Sequence, residues 1–323
     1  MADKEIKVAG IQELKDGQTK KIALEDRNIL LCRVKGVFHA VGCACPHHGG
    51  PLDEGALHED RLVCPWHHAV FSAKTGDAIE PPSLDRLPQY EVKTRGGDVY
   101  VVVADDMPAT KRFPESVKPD TGRDGRVFVI VGAGAAGGAA AEALRQNGFQ
   151  GRVVMITRES LPTYDRTVLS KSYLATGDSK GLIPIRNAAF YSRRGIEFLP
   201  EKTVSKVVPG NRVVEFSDGE SLQFDKLLLA TGGNPRSINV PGSDLKGIHS
   251  LRTPADADAI IASCKDARKA VVVGASFIGM EAAPGLLKRG LEVDVVGPEA
   301  VPFARILGSE IGLLIRKEHE KAG

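Results

Sequence analysis

The stretch 126–137, RVFVIVGAGAAG, decides the fold of most of the chain. The run from Val127 to Val131 is all β-branched or aromatic and reads as a buried strand. Gly132-Ala133-Gly134-Ala135-Ala136-Gly137 follows at once, and a helix is predicted over 135–146. A strand that runs through G-x-G-x-x-G into a helix is the start of a dinucleotide-binding unit. Gly132 permits the tight turn. Gly134 lets backbone N–H groups approach a pyrophosphate at the helix N-terminus, where the dipole favours an anion, and Gly137 lets helix and strand pack closely. The next strand is predicted at 153–157. Glu159 is the only nearby acid after it, and so the candidate for a ribose hydroxyl.

Outward from this point the pattern returns once. A strand at 270–273 leads through Gly274-x-Ser276-x-x-Gly279 into a helix at 277–288 and a strand at 293–296. Two such units argue for two modules of the doubly wound α/β type. Pro284-Gly285 lies inside the second helix, where proline costs about 3 kcal/mol and glycine about 1, so a kink or loosened helix is expected. Glu299 stands where a ribose 2′-OH would be bound. No Arg or Lys occurs from Val293 to Ala304 to welcome a 2′-phosphate, which favours NADH over NADPH. Between the units, residues 212–216, the Ser217-Asp218-Gly219 turn and residues 222–230 read as a small antiparallel piece and then a buried strand.

Upstream the period changes. Strands at 29–34 and 37–41 flank Lys35-Gly36, and strands at 90–93 and 99–103 flank Gly96-Gly97, a strong hairpin signal. The segment 106–125 has three prolines, many charges and few apolar residues, and reads as a linker. The expected organisation is an all-β domain over 1–105, the linker at 106–125, a first nucleotide-binding domain over 126–250 and a second, partial one over 251–323.

The β domain carries the metal chemistry. Cys45-Pro46-His47 and Cys64-Pro65-Trp66-His67 lie on two Pro/Gly-rich loops. Two thiolates and two imidazoles make a four-donor soft-metal site, and zinc would be satisfied by that donor set. The C-x-H and C-x-x-H pairs resemble the Rieske [2Fe–2S] motif, in which two Cys hold one iron and two His the other. The likeness extends to a third loop at Pro81-Pro82. It implies a potential within about −150 to +300 mV, because neutral imidazoles leave the cluster less negative than four thiolates do. Respiratory Rieske proteins have two further cysteines in these loops. None stands here, so the ferredoxin type and the low end of the range are implied. Cys43 reads as an ordinary loop cysteine, His48 and His68 as neighbours rather than ligands, and Trp66 as cover for the cluster.

Tyr164-Asp165-Arg166-x-x-Leu169-Ser170-Lys171 and Leu227 to Gly233 (LLLATGG), taken with the glycine turn, resemble the FAD domain of the ferredoxin-reductase and apoptosis-inducing-factor flavoproteins. The second glycine turn matches that family's NAD(P) motif. The order Rieske, FAD, NAD(P) resembles the apoptosis-inducing-factor-like proteins and their bacterial Rieske-fused relatives. By position, the resemblance implies that Arg166 and Lys171 lie near the flavin pyrophosphate and ring. It implies that Val204 contacts adenine through its backbone and that Thr231-Gly232 lines the FAD. It also implies that Lys171 and Glu281 form a buried ion pair beside the flavin N5 edge. Thr167 replaces the family's usual proline, and Gly138 a larger apolar residue. The family's pattern continues beyond Gly323, so the sequence reads as a truncated form in which stable FAD binding is doubtful.

Composition narrows the function. The 323 residues are 42% hydrophobic and 26% charged, with a net charge of +2. That rules out a disordered chain and gives no electrostatic case for nucleic acid. No apolar run reaches the roughly 18 residues a membrane helix needs, and no secretory signal opens the chain, so a cytoplasmic protein is expected. No cysteine occurs between Cys64 and Cys264, which excludes a disulfide reductase using a Cys pair beside the flavin. Only His249 and His319 follow the β domain, too few for the mononuclear iron of a Rieske oxygenase. The expected function is an NAD(P)H-dependent flavoprotein reductase that passes electrons through FAD to the cluster and on to an unidentified acceptor. The alternative is a redox sensor that uses the cluster without turnover.

Overall fold

In a computed structural model that describes residues 4–178 and 184–323, the chain forms two compact units, divided between Glu115 and Ser116. The first unit is all-β. A six-stranded antiparallel sheet runs in the order Lys4–Gly10, Asp98–Val103, Gln89–Arg95, Val37–Gly42, Asn28–Val34, Thr19–Ala23. Both hairpins expected from sequence are present. Lys35 and Gly36 have φ of 53° and 80°, and Gly96 and Gly97 have 59° and 84°, the paired left-handed residues that match strand twist in a two-residue turn. A second sheet of four short strands, Ala56–His58, Arg61–Val63, Val70–Ser72 and Ala78–Glu80, carries the metal loops at one end. Leu30, Val41, Leu52, Leu62, Phe71 and Leu87 form the core against which it packs.

The second unit is α/β. Its parallel sheet runs in the order Ile196–Leu199, Arg152–Ile156, Val127–Val131, Lys226–Leu229. Val153, Val154, Met155 and Ile156 are fully buried, as a central parallel strand covered on both faces requires. A three-stranded antiparallel sheet, Val204–Val208, Val213–Phe216 and Ser221–Gln223, closes one side of this core. Helix Ala135–Gln146 follows the first glycine turn, and helix Phe277–Leu287 the second. The strands flanking the second turn, Lys269–Val273 and Glu292–Val296, pair in parallel. No helix among the described residues is long and apolar enough to cross a membrane.

Two expectations are corrected. Residues 222–230 are not one buried strand: the chain breaks after Gln223, and in Lys226–Leu229, an edge strand, Leu228 and Leu229 are exposed. The segment 106–125 is not a free linker. Arg112 exchanges main-chain hydrogen bonds with Arg86 in the first unit, while Val117 and Asp120 donate to the carbonyls of Arg145 and Gln150 in the second. The second helix runs through Pro284 to Leu287, within the span expected from sequence. Gly285 there packs against Leu174 of the neighbouring helix Ser172–Thr176. Gly138, where the family has a larger apolar residue, has a packing reason. A Cβ at Gly138 would lie 2.6 Å from the Thr163 hydroxyl, which fills that space and shares a 2.6 Å hydrogen bond with Tyr191.

Candidate functional site

The two metal loops repeat one conformation. In the first, the Cys45 N–H donates to the Gly50 carbonyl and the Gly49 N–H to the Cys45 carbonyl. In the second, the Cys64 N–H donates to Ala69 and the His68 N–H to Cys64. The fifth residue of each loop is left-handed, Gly49 at φ 78° and His68 at φ 60°. His68 therefore holds a position that suits glycine. The repeat buries Cys45 and Cys64 to 2% and 1% exposure. Their thiols interact with each other, and the main-chain N–H groups of His47 and His48 point at the Cys45 sulfur. The His47 and His67 rings meet edge to face with centroids 5.0 Å apart; His47 is half-buried and His67 exposed.

This arrangement tests the metal reading. Burial pushes the Cys45 thiol up to about 11, so its thiolate needs a positive partner. The donors come as a pair of buried thiols and a pair of imidazoles, the set that two irons of a [2Fe–2S] cluster would share. Gly50 shapes the wall: a Cβ there would lie 2.8 Å from the Cys64 sulfur and 3.3 Å from the Trp66 ring. Trp66 thus lies against the loop backbone while half exposed. Cys43 is not a spare reactive thiol. It is buried, donates to Asp53 at 3.1 Å, and is pushed up to about 12 by burial and by that carboxylate.

The two glycine turns are also built alike. Gly132 has φ 112° and Gly274 φ 121°. The Gly132 and Gly274 N–H groups donate to the ends of the next strands, Ile156 and Val296, at 2.7 Å each. A Cβ at Gly137 would lie 1.8 Å from the Gly132 carbonyl oxygen, and one at Gly279 would lie 1.9 Å from that of Gly274. A Cβ at Gly132 would strike the Ala230 carbonyl oxygen. Gly134 has open space instead, as backbone meeting a ligand should. Neither helix start, at Gly134 or Ser276, has a side-chain cap. The donors there suit an anion, so the residues fit a dinucleotide at both turns.

Around the first turn, Glu159 accepts from the Tyr164 hydroxyl at 2.7 Å and from Arg166 at 2.8 Å, and Arg166 also donates to the Arg252 carbonyl. Arg166 is therefore tied to the expected ribose acceptor. Tyr164 belongs to the motif read from sequence; Arg252 does not, because nothing local marks a partner 86 residues from Arg166. Val204 opens the three-stranded sheet, paired with Phe216. Thr231 and Gly232 follow the edge strand and are exposed. Lys171 and Glu281, far apart in the chain, do meet. Lys171 Nζ lies 3.3 Å from Glu281, and the Ser170 hydroxyl donates to the same carboxylate at 2.6 Å. The pair is not buried as expected: the side chains are 51% and 32% exposed. Around the second turn, Ser276 is exposed, and Glu299 is held by Arg305, the first cation after Val293.

Residues 126–323 match the pyridine nucleotide-disulphide oxidoreductase family model, more than half of the chain. The chain belongs to that family. Its first unit matches the Rieske [2Fe–2S] domain model over residues 4–91. The whole chain is similar to apoptosis-inducing factor 3 of Mus musculus, 39% identical over 98% of this chain and 52% of that protein. The family part is similar to the biphenyl dioxygenase system ferredoxin–NAD(+) reductase component of Paraburkholderia xenovorans, 37% identical over 61% of this chain and 48% of that protein. In structure it is similar to a ferredoxin reductase from Rhodopseudomonas palustris, with a TM-score of 0.58, 33% identity and coverage of 61% of this chain and 49% of that one. The chain spans about half the length of the curated relatives it matches. These matches agree with the fold: an all-β Rieske domain followed by an oxidoreductase α/β fold with two dinucleotide turns.

Proposed function

We propose that the chain is an NAD(P)H-dependent oxidoreductase that moves electrons from a nicotinamide nucleotide through FAD to a Rieske [2Fe–2S] cluster and on to an external acceptor. One observation carries this reading: a single chain joins two dinucleotide turns of matching geometry to a thiol pair and an imidazole pair. A nicotinamide gives two electrons as hydride and a cluster takes one, and a flavin when bound supplies the conversion.

The chain's own residues would divide the work as follows. Cys45 and Cys64 would hold one iron, and His47 and His67 the other. The exposed His67 ring is then the place where an acceptor can come close. Gly132, Gly134 and Gly137 receive the FAD pyrophosphate, with Glu159 on the ribose and Arg166 bracing Glu159. Val204, Thr231 and Gly232 line the same nucleotide. Gly274, Ser276 and Gly279 receive the nicotinamide nucleotide. Lys171, oriented through the Ser170–Glu281 hydrogen bond, supplies positive charge where hydride arrives.

The test is anaerobic. Protein purified without oxygen should show a flavin and cluster spectrum, and dithionite should produce the EPR signal of a reduced Rieske centre. NADH or NADPH should bleach both chromophores and sustain turnover with ferricyanide or cytochrome c. Cluster reduction without steady turnover would replace the enzyme with a sensor. A colourless, zinc-loaded protein would sink the scheme. Glu281→Gln should slow flavin reduction in stopped flow by on the order of tenfold, because a half-exposed pair is screened more than a buried donor. An unchanged rate removes the pair from the scheme.

A further inference from the structure

The loop that follows strand Glu292–Val296 leads to a cation one residue beyond the stretch 293–304 that holds no Arg or Lys. The Arg305 Nε lies 2.8 Å from Glu299 Oε1, and the Arg305 main-chain N–H donates to Oε2 at 3.1 Å. The Glu299 side chain is 22% exposed and that of Arg305 77%. Several contacts fix this loop against the glycine turn. The Gly274 N–H donates to Val296, the Phe303 N–H donates to the Ala275 carbonyl, and the Phe303 and Phe277 rings lie 4.9 Å apart. Phe303 is buried and left-handed at φ 61°, a conformation disfavoured for a bulky residue and held here by its surroundings. That turn brings Arg305 back over Glu299.

An unpaired carboxylate beside a ribose accepts its hydroxyls and repels a 2′-phosphate. Here the carboxylate is already paired with a guanidinium that faces solvent. A planar guanidinium is suited to bidentate contact with phosphate. From this geometry we infer that Arg305 admits a 2′-phosphate, so that the second module takes NADPH as well as NADH, with Glu299 positioning the arginine. This replaces the preference for NADH drawn from the absence of Arg or Lys before residue 305. The inference rests on the reading of 274–279 as a nicotinamide nucleotide site.

The test is calorimetric titration of the full chain with AMP and with adenosine 2′,5′-bisphosphate, in excess FAD so that the first turn is occupied. The wild-type chain should bind the two within roughly tenfold of each other, since one exposed guanidinium offsets the added charge. Arg305→Ala should weaken the bisphosphate by roughly ten- to a hundredfold and AMP by less than about threefold. Arg305→Lys should fall between, keeping the charge but not the fork. Bisphosphate affinity unchanged in Arg305→Ala overturns the inference. So does AMP bound about a hundredfold more tightly than bisphosphate by the wild-type chain, which leaves the nucleotide site itself standing. Failure of both probes to bind overturns the site and the inference together.

Discussion

The Gly50→Ala variant is expected to be purified with at least about tenfold less iron per chain than the wild type, and to lose the EPR signal of the reduced cluster in proportion. The cause is space. The added methyl would lie 2.8 Å from the Cys64 sulfur and 3.3 Å from the Trp66 ring. Neither side can give way easily. The Gly50 carbonyl is tied to the Cys45 N–H, and Cys64 is tied to Ala69, so moving the methyl moves a ligand. Overpacking of this kind costs about 1–3 kcal/mol, and here the loss falls on the metal-bound state. Gly49→Ala separates space from backbone conformation. Gly49 is left-handed but has open space around it, so alanine there should lower folding stability by about 1–2 kcal/mol and leave iron content near the wild-type value. Full iron in Gly50→Ala would show that the loops do not grip the cluster as described.

What the sequence reveals is the local part of this molecule. Gly96-Gly97 and Gly132 to Gly137 announce their structures because the cause lies within a few residues: a left-handed turn, or a helix that must approach its strand. The C-x-H and C-x-x-H pairs are legible for the same reason. What escaped depends on partners far away along the chain. Val204–Val208 is a strand only because Val213–Phe216 lies beside it; taken alone, VSKVV is too short and too polar to stand out. Gly50 looks like any loop glycine until Cys64, on the other loop, is brought to it. Lys171 and Glu281 could be paired only through the family resemblance, and even then their burial was misjudged. Arg305 escaped by one residue, because a window drawn along the chain ignores the left-handed turn at Phe303 that folds it back.

Arg145 is the extreme case, and its replacement should produce the largest loss of stability in the second unit. Near the end of an Ala-rich helix it reads as a solvated charge, yet it is fully buried. Its guanidinium donates to four carbonyls: Phe149 at 2.7 Å, Gly151 at 2.9 Å, Arg194 at 2.8 Å and Gly195 at 2.7 Å. These carbonyls lie just past the C-terminal ends of helices Ala135–Gln146 and Ala188–Arg193, where the helix dipole favours a cation. One cation thus ties the segments that leave two helices to each other and to the turn into the central strand. Methionine would fill much of the volume but leave the four acceptors without it, at a cost of about 3–5 kcal/mol. At about 2–4 °C per kcal/mol for a unit of this size, the melting temperature of Arg145→Met should fall by roughly 6–20 °C. The glycine turn lies at the other end of the same helix, so FAD affinity measured well below the melting point should stay near the wild-type value. Arg145→Lys reaches fewer of the acceptors and should fall between the two. A melting temperature within about 2 °C of the wild type would mean that the carbonyls find water instead, and that the buried charge contributes little to holding the helices on the sheet.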